Sequence, residues 1–222
     1  MTDHFTYDLF VDPNTNNKIV CSNVSRLIID VERFEDDCLE PMAAIGMGAI
    51  YTSTSSLKPL RRAITADERT YLMAEYYHPH HRALESAVNE SLENHGQCLI
   101  IDCHSFPNTA LPYENVDKSI LRPDICIGTD SFHTSDALRK AFTDAFRITA
   151  LNVATNNPFA GSMVPASRYR KDERVQSIMI EVNRDLYLDP ITFNRNATFD
   201  ATSILLRAAC MRAIIDSYRE KY

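Results

Sequence analysis

The stretch VQSIMIEV, Val175 to Val182, is the strongest strand signal in the chain. It is short, rich in β-branched and long apolar residues, and suited to an interior position in a sheet. One residue disturbs it. Glu181 follows Ile178, Met179 and Ile180, where a carboxylate is costly unless it is paired or set at the strand's open end. Working outward, QCLIID (Gln97 to Asp102) and DICIG (Asp124 to Gly128) read as further short buried strands. SRLIIDV (Ser25 to Val31), GAIYT (Gly48 to Thr52) and Leu151 to Ala154 are predicted strands as well.

Helical periodicity fills the intervals. From about Asp67 to Glu93, Leu72, Tyr76, His80, Leu84, Val88 and Leu92 recur four apart on one side, with a kink or two abutting helices expected at Pro79 and a stop at Gly96. A second helix, about Ser135 to Phe146, is expected to bury Leu138, Phe142 and Phe146. A third, about Ala201 to Tyr218, is expected to bury Leu205, Ala208, Met211, Ile215 and Tyr218. Phe106 to Pro123 reads as a loop over the site, and Asn156 to Arg170 is loop-like too. Strand-like and helix-like clusters alternate, which favours an α/β layer fold. With no repeat and no linker, one domain over residues 1–222 is expected.

The totals narrow the function classes. A chain of 222 residues with 45% hydrophobic content can bury a sizeable core. No apolar run is long enough for a membrane-spanning helix, and Met1 to His4 does not resemble a signal peptide, so a cytoplasmic protein is expected. The six cysteines, at 21, 38, 98, 103, 126 and 210, form no Cys-x-x-Cys pair. Buried thiols are expected, rather than a disulfide framework or a thiolate zinc site. A net charge of -7 argues against nucleic acid as a partner. An anionic substrate would need a local positive pocket against that field. A homo-oligomer is left open.

Three clusters carry candidate chemistry. In IIDCHSF, His104 stands just beyond a predicted buried strand, at the end where open α/β sheets bind ligands. It reads as a metal ligand oriented by Asp102, or as a core histidine satisfied by hydrogen bonds. In IMIEVNR, partial burial would raise the Glu181 pKa toward a general base, while a structural ion pair with Arg184 or another arginine is the plainer reading. In SRLIIDVERF, Arg26 and Arg33 have the fork geometry for carboxylates, or they pair with Asp30, Glu32, Glu35 or Asp36. Arg61-Arg62 and Arg168-Tyr169-Arg170 are equally ambiguous.

Taken together, SRLIIDVERF, EPMAAIGMGAIYTSTS, YYHPHHRAL, IDCHSFPN, PDICIGTDSFHT and SIMIEVNRDLY resemble the N-formylglutamate amidohydrolase family, from about residue 3 to residue 190 and in order. That family is similar in fold to zinc carboxypeptidases and aspartoacylases. The resemblance implies a three-layer αβα domain with a mixed central sheet. It also implies a zinc-dependent hydrolase that cleaves N-formyl-L-glutamate to formate and glutamate, the last step of one histidine-degradation route. One Zn2+ is implied, with His104 as the downstream zinc histidine and Asp3, in the segment Thr2-Asp3-His4-Phe5, as the carboxylate ligand. Glu181 is implied as the base, and Arg26, Arg33, Asn183 and Arg184 as holders of substrate carboxylates or an oxyanion. The small anionic substrate is the implied partner, without nucleic acid or membrane.

Two departures from the family pattern stand out. Glu32-Arg33 occupies a place where aspartoacylase-like relatives carry Asn-Arg. The family's upstream zinc histidine belongs to a Pro-His-Ser-Gly-type segment ahead of the Thr-Asp element. This chain begins at Met1-Thr2-Asp3, so a missing N-terminal strand is expected. His4, His81 and His133 are substitutes by residue type but match no motif. Another N-acyl amino acid deacylase or amidase of the same fold, and a pseudo-enzyme with an incomplete metal site, are the alternatives.

Overall fold

The computed structural model describes residues 2–114 and 121–219. Five helices, α1 (Thr6–Phe10), α2 (Ala66–Leu72), α3 (His78–His95), α4 (Asp136–Arg147) and α5 (Phe199–Arg219), accompany four strands. The strands are β1 (Cys98–Phe106), β2 (Ile125–Gly128), β3 (Val153–Thr155) and β4 (Val175–Asn183). Contacts gather these residues into two compact units, one centred on Lys18–Glu90 and one on Asp3–Asn17, Ser91–Thr109 and residues 121–219. The chain is an α/β protein with a mixed sheet, as its strand pattern leads one to expect.

The second unit holds the sheet, in the order β1-β4-β2-β3. β1 and β4 run parallel, β2 and β3 run parallel, and β2 meets β4 antiparallel. Ile178, Ile180 and Val182 of β4 and Ile125 and Ile127 of β2 are fully buried against Phe142 and Phe146 of α4 and Leu206 of α5. Side chains alternate across a strand. The odd residues of β4 therefore lie on the opposite face, and the parallel register places the even residues of β1 beside them.

β1 runs four residues beyond the predicted end at Asp102, so His104 lies within a strand and not after one. Hydrophobicity alone stops at Asp102. The strand continues because polar partners on the far face receive Asp102 and His104. α4 buries Leu138, Phe142 and Phe146 as its spacing predicts, and Ser135 caps it by accepting from the Leu138 amide.

α5 corrects the sequence reading. Phe199, Ser203, Leu206, Ala209, Ala213 and Ser217 face inward, while Ala208, Met211 and Ile215, expected inside, are exposed. Leu205 and Tyr218 are only half-buried. Small residues win the inner face because they let backbones approach. Ser203 donates to the carbonyls of Asp8 and Leu9 at 3.2 and 3.0 Å, tying α5 to α1.

The first unit is irregular. The predicted strands Ser25–Val31 and Gly48–Thr52 are turns and bends, joined by one backbone bond, from the Asp30 amide to the Ala49 carbonyl at 2.7 Å, and by the Tyr51 hydroxyl donating to Asp30. Their apolar residues pack instead on the helical segment, with Ile29, Val31, Ala49, Ile50, Met73 and Tyr77 buried together. Thr65 and Glu68 close a reciprocal capping box at the start of α2. Where a kink or two abutting helices are expected at Pro79, α2 and α3 abut through a π turn, Met73–Tyr77, immediately upstream. Proline brings no N–H and its ring collides with the carbonyl four residues back, and the wider turn relieves both. Gly96, at φ 71°, ends α3 as expected. Of the predicted loop Phe106–Pro123, residues 115–120 lie outside the described residues.

Candidate active site

The register of β1 against β4 sets His104 beside Glu181. Neighbouring strands lie about 4.8 Å apart, so these two side chains rise from adjacent positions on the same face. Both are buried, at 8% and 9% exposure. Asp102 and Phe106 of β1, Met179 and Asn183 of β4, and Cys126 and Gly128 of β2 share this face. Gly128 leaves room there: a Cβ would come within 2.7 Å of the Gly161 carbonyl oxygen and 2.3 Å of the Met179 methyl carbon. The loop after β3 can thus lie directly on the sheet, where the Met163 amide donates to Asp102 at 2.9 Å and Ser177 donates to the Met163 carbonyl at 2.7 Å.

Each imidazole nitrogen of His104 faces a carboxylate. Nε2 is 2.8 Å from Asp102 Oδ1, and Nδ1 is 3.4 Å from Asp3 Oδ2. Asp3 is itself fixed by the Ser105 amide, which donates to its other oxygen at 2.9 Å. Tyr187 steadies this segment by donating to the His4 carbonyl at 2.9 Å, and burial pushes its phenol up to about 12. These distances suit a metal centre. Two donors bound tetrahedrally at about 2.1 Å stand about 3.4 Å apart, the separation of Nδ1 from the Asp3 oxygen. A proton on Nε2 held by Asp102 leaves Nδ1 as the electron-pair donor. Asp3 and His104 thus fit as ligands, with Asp102 orienting the ring.

The arginines named from sequence divide between the units. Arg184 stands at the end of β4, donating from Nε to the Ser105 hydroxyl at 3.1 Å and from Nη2 to the Ser105 carbonyl at 2.8 Å. Its charge is felt at His4, whose imidazole is held below its usual range by burial first and Arg184 second. Arg26 and Arg33 lie in the first unit and pair with Asp30, at 3.7 and 3.4 Å, with Arg33 also 3.8 Å from Glu40. That is the ion-pair arrangement the sequence left open. Asn183 donates both amide hydrogens, to the Asn108 side chain and the Pro123 carbonyl, each at 3.2 Å. It anchors the segments on either side of residues 115–120.

The substitute histidines are otherwise engaged. His133 donates from Nδ1 to the Val175 carbonyl and accepts the Arg170 amide at Nε2, both at 2.7 Å, which leaves neither nitrogen for a metal. His81, in the first unit, stacks on Tyr77 and donates to the Val31 carbonyl at 2.9 Å. His4 stacks on Phe193.

Sequence reasoning missed Arg122. Its guanidinium lies 4.8 Å from the centre of the Phe106 ring and 5.4 Å from that of Phe159, with its nitrogens buried. Burial pushes the neighbouring Cys126 thiol up, Glu181 adding to the rise and Arg122 opposing it, so both charges bear on one spot of the site face. The only signal was position: an arginine and a proline directly before a buried strand.

Comparison with known proteins agrees with this architecture. The profile of a family described as N-formylglutamate amidohydrolase matches residues 1–188. An N-formylglutamate deformylase of Pseudomonas aeruginosa is 24% identical over 212 residues, covering 91% of this chain and 77% of that protein. The crystal structure of an N-formylglutamate amidohydrolase from Ralstonia eutropha superposes with a TM-score of 0.75 at 25% identity, over 89% of this chain and 76% of its own. A gene product of Agrobacterium tumefaciens shares the fold, with a TM-score of 0.60 at 18% identity over 86% and 68% of the two chains.

Proposed function

The chain belongs to the N-formylglutamate amidohydrolase family and is an amidohydrolase, and we propose that it uses a zinc ion, with Glu181 as general base, to split N-formyl-L-glutamate into formate and glutamate. The observation that carries this reading is the pairing of His104 with Glu181 on one sheet face.

Asp3 and His104 would supply two of the usual three protein ligands of a catalytic zinc. Bound there, the ion would polarise the formyl carbonyl and ease deprotonation of water. The remaining chemistry falls to the chain's own groups. Glu181, beside His104 on the site face, takes a proton from the attacking water as the oxygen bonds to the formyl carbon. It returns that proton to the amide nitrogen as the C–N bond breaks, releasing formate and the free amine of glutamate. Asp102 keeps the His104 ring in one tautomer throughout. Arg184 and Arg122 provide the local positive charge that two substrate carboxylates require in a protein of net charge -7. Arg122 suits that task because the Phe106 and Phe159 rings hold its buried guanidinium beside the site face.

The test is Glu181→Gln, a near-isosteric change that removes the base. With zinc content and far-ultraviolet circular dichroism unchanged, kcat is expected to fall by about 10²–10⁴-fold. A variant that keeps the wild-type rate when loaded with metal removes Glu181 from the mechanism. Metal analysis of His104→Ala tests the ion separately, with zinc expected to be lost from the protein. Rates on N-formyl-, N-acetyl- and N-succinyl-glutamate decide the acyl group, and the formyl compound is expected to lead.

A further inference from the structure

Ser162 carries a hydroxyl oxygen that is buried and that no described residue bonds. Burying a hydroxyl without a partner costs free energy, so folded chains keep few such groups and retain them chiefly at functional sites.

Both peptide groups beside Ser162 lie against the site face. A Cβ on Gly128 would meet the Gly161 carbonyl oxygen at 2.7 Å. The Met163 amide donates at 2.9 Å to Asp102, the carboxylate that holds His104. The loop is also fixed upstream. The Gly161 amide donates to the Thr129 carbonyl at 3.1 Å, and the Cys126 thiol donates to the Phe159 carbonyl at 3.3 Å. Backbone contacts thus hold Ser162 in place.

The strand pairings divide the site face into rows, about 7 Å apart. Asp102, Met179 and Gly128 form the first, His104, Glu181 and Cys126 the second, and Phe106 and Asn183 the third. Arg122, by the Phe106 ring, and Arg184, at the end of β4, stand at the third row. Gly161 and Met163 touch the first. The arginines and Ser162 therefore lie on opposite sides of the His104–Glu181 row. An N-acylglutamate has a matching polarity, with both carboxylates on one side of its amide C–N bond and the acyl group on the other. With the carboxylates at the arginines and the amide over His104 and Glu181, the acyl carbonyl is turned toward the first row.

We propose, taking the site as that of an N-acylglutamate hydrolase, that the Ser162 hydroxyl binds the acyl end of the substrate by donating to the carbonyl oxygen of the amide that is cleaved. That oxygen gathers negative charge as water adds to its carbon, so the bond strengthens in the transition state and acts on rate.

The test compares Ser162→Ala with wild type on whichever of N-formyl-, N-acetyl- and N-succinyl-glutamate is cleaved fastest. kcat/KM is expected to fall by about tenfold to hundredfold. Inhibition by L-glutamate, which lacks the acyl oxygen, is expected to stay as in wild type. The urea midpoint is expected to hold or rise, because a methyl group replaces an unbonded buried hydroxyl. Wild-type kcat/KM in Ser162→Ala overturns the proposal. So does a loss that comes with weaker L-glutamate inhibition and a lowered midpoint, the pattern of a purely structural residue. An acetyl or succinyl preference, or full rate in Glu181→Gln, corrects the acyl group or the base proposed above, and a Ser162→Ala loss confined to kcat/KM supports the hydroxyl in either case.

Discussion

The unit around Lys18–Glu90 keeps a carboxylate at its centre, whereas the unit with the sheet keeps its centre apolar and sets its carboxylates along one face. In the first, Asp30 is 1% exposed and receives the Tyr51 hydroxyl and the guanidinium groups of Arg26 and Arg33. Glu40, also buried, accepts the amides of Phe34 and Met42. In the second, Ile125, Ile127, Ile178, Ile180 and Val182 form an unbroken apolar layer beneath α4 and α5. The contrast teaches where directional and non-directional forces are used. A chain with few strand bonds holds its loops by charge and hydrogen bonds, while a sheet that supplies its own ladder needs only packing on the face that is not the site.

The comparison breaks most sharply through substitutions at the two centres. Phe142→Ala empties a fully buried position beneath β2 and β4. It is expected to cost about 3–5 kcal/mol in urea unfolding followed by circular dichroism. Asp30→Ala leaves the half-buried Arg33 without its nearer carboxylate, and a loss of about 3 kcal/mol is expected. Hydrogen exchange should show protection lost on peptides around Val24–Tyr51. A penalty under about 1 kcal/mol would mean that the carboxylate is incidental and that the first unit, too, is held by its apolar cluster.

The same contrast explains what was legible in the sequence. The four strands were found because each advertises itself as a short apolar run, edge strands β1 and β3 as well as interior β4 and β2. α4 was read correctly because its large residues fall on one side only. α5 was misread because two of its sides are apolar and the larger residues occupy the outer one. SRLIIDV and GAIYT were misread as strands because their apolar spacing reflects packing on a helical segment, which period-two counting cannot distinguish from pleating. At the site, His104 and Glu181 stood out as polar residues beside apolar runs. Arg122 did not, since an arginine among prolines and loops looks like any other surface charge. The rings of Phe106 and Phe159, distant in the chain, mark its place.

A smaller effect sharpens the account of the site face. Gly128→Ala places a methyl group against the Gly161 carbonyl, a backbone atom that cannot rotate away. The expected destabilisation is about 1–3 kcal/mol. Because that loop also delivers the Met163 amide to Asp102, activity should fall further than stability alone explains. Wild-type turnover in a destabilised Gly128→Ala would show that the loop braces the sheet without orienting His104.

The smallest effect is a pH dependence, and it returns to how the sheet unit handles a carboxylate away from the site. Burial pushes the Asp130 carboxyl up. The amides of Phe132 and His133, with the charge of Arg170 at 3.9 Å, outweigh that and hold it below its usual range. The folded pKa is thus lower than the unfolded value of about 4. The stabilisation it provides is fully present above that value and is lost as pH falls through the folded pKa. Asp130→Asn keeps an oxygen for both amides and removes the charge, at the cost of the oxygen that accepts the Tyr169 hydroxyl at 3.4 Å. The stability gap between wild type and Asp130→Asn should therefore be constant from about pH 7 to about pH 5 and shrink below about pH 4. Urea midpoints measured along that range read the gap directly. A gap as wide at about pH 3 as at neutrality would mean that hydrogen bonding, and not charge, carries the contribution of Asp130.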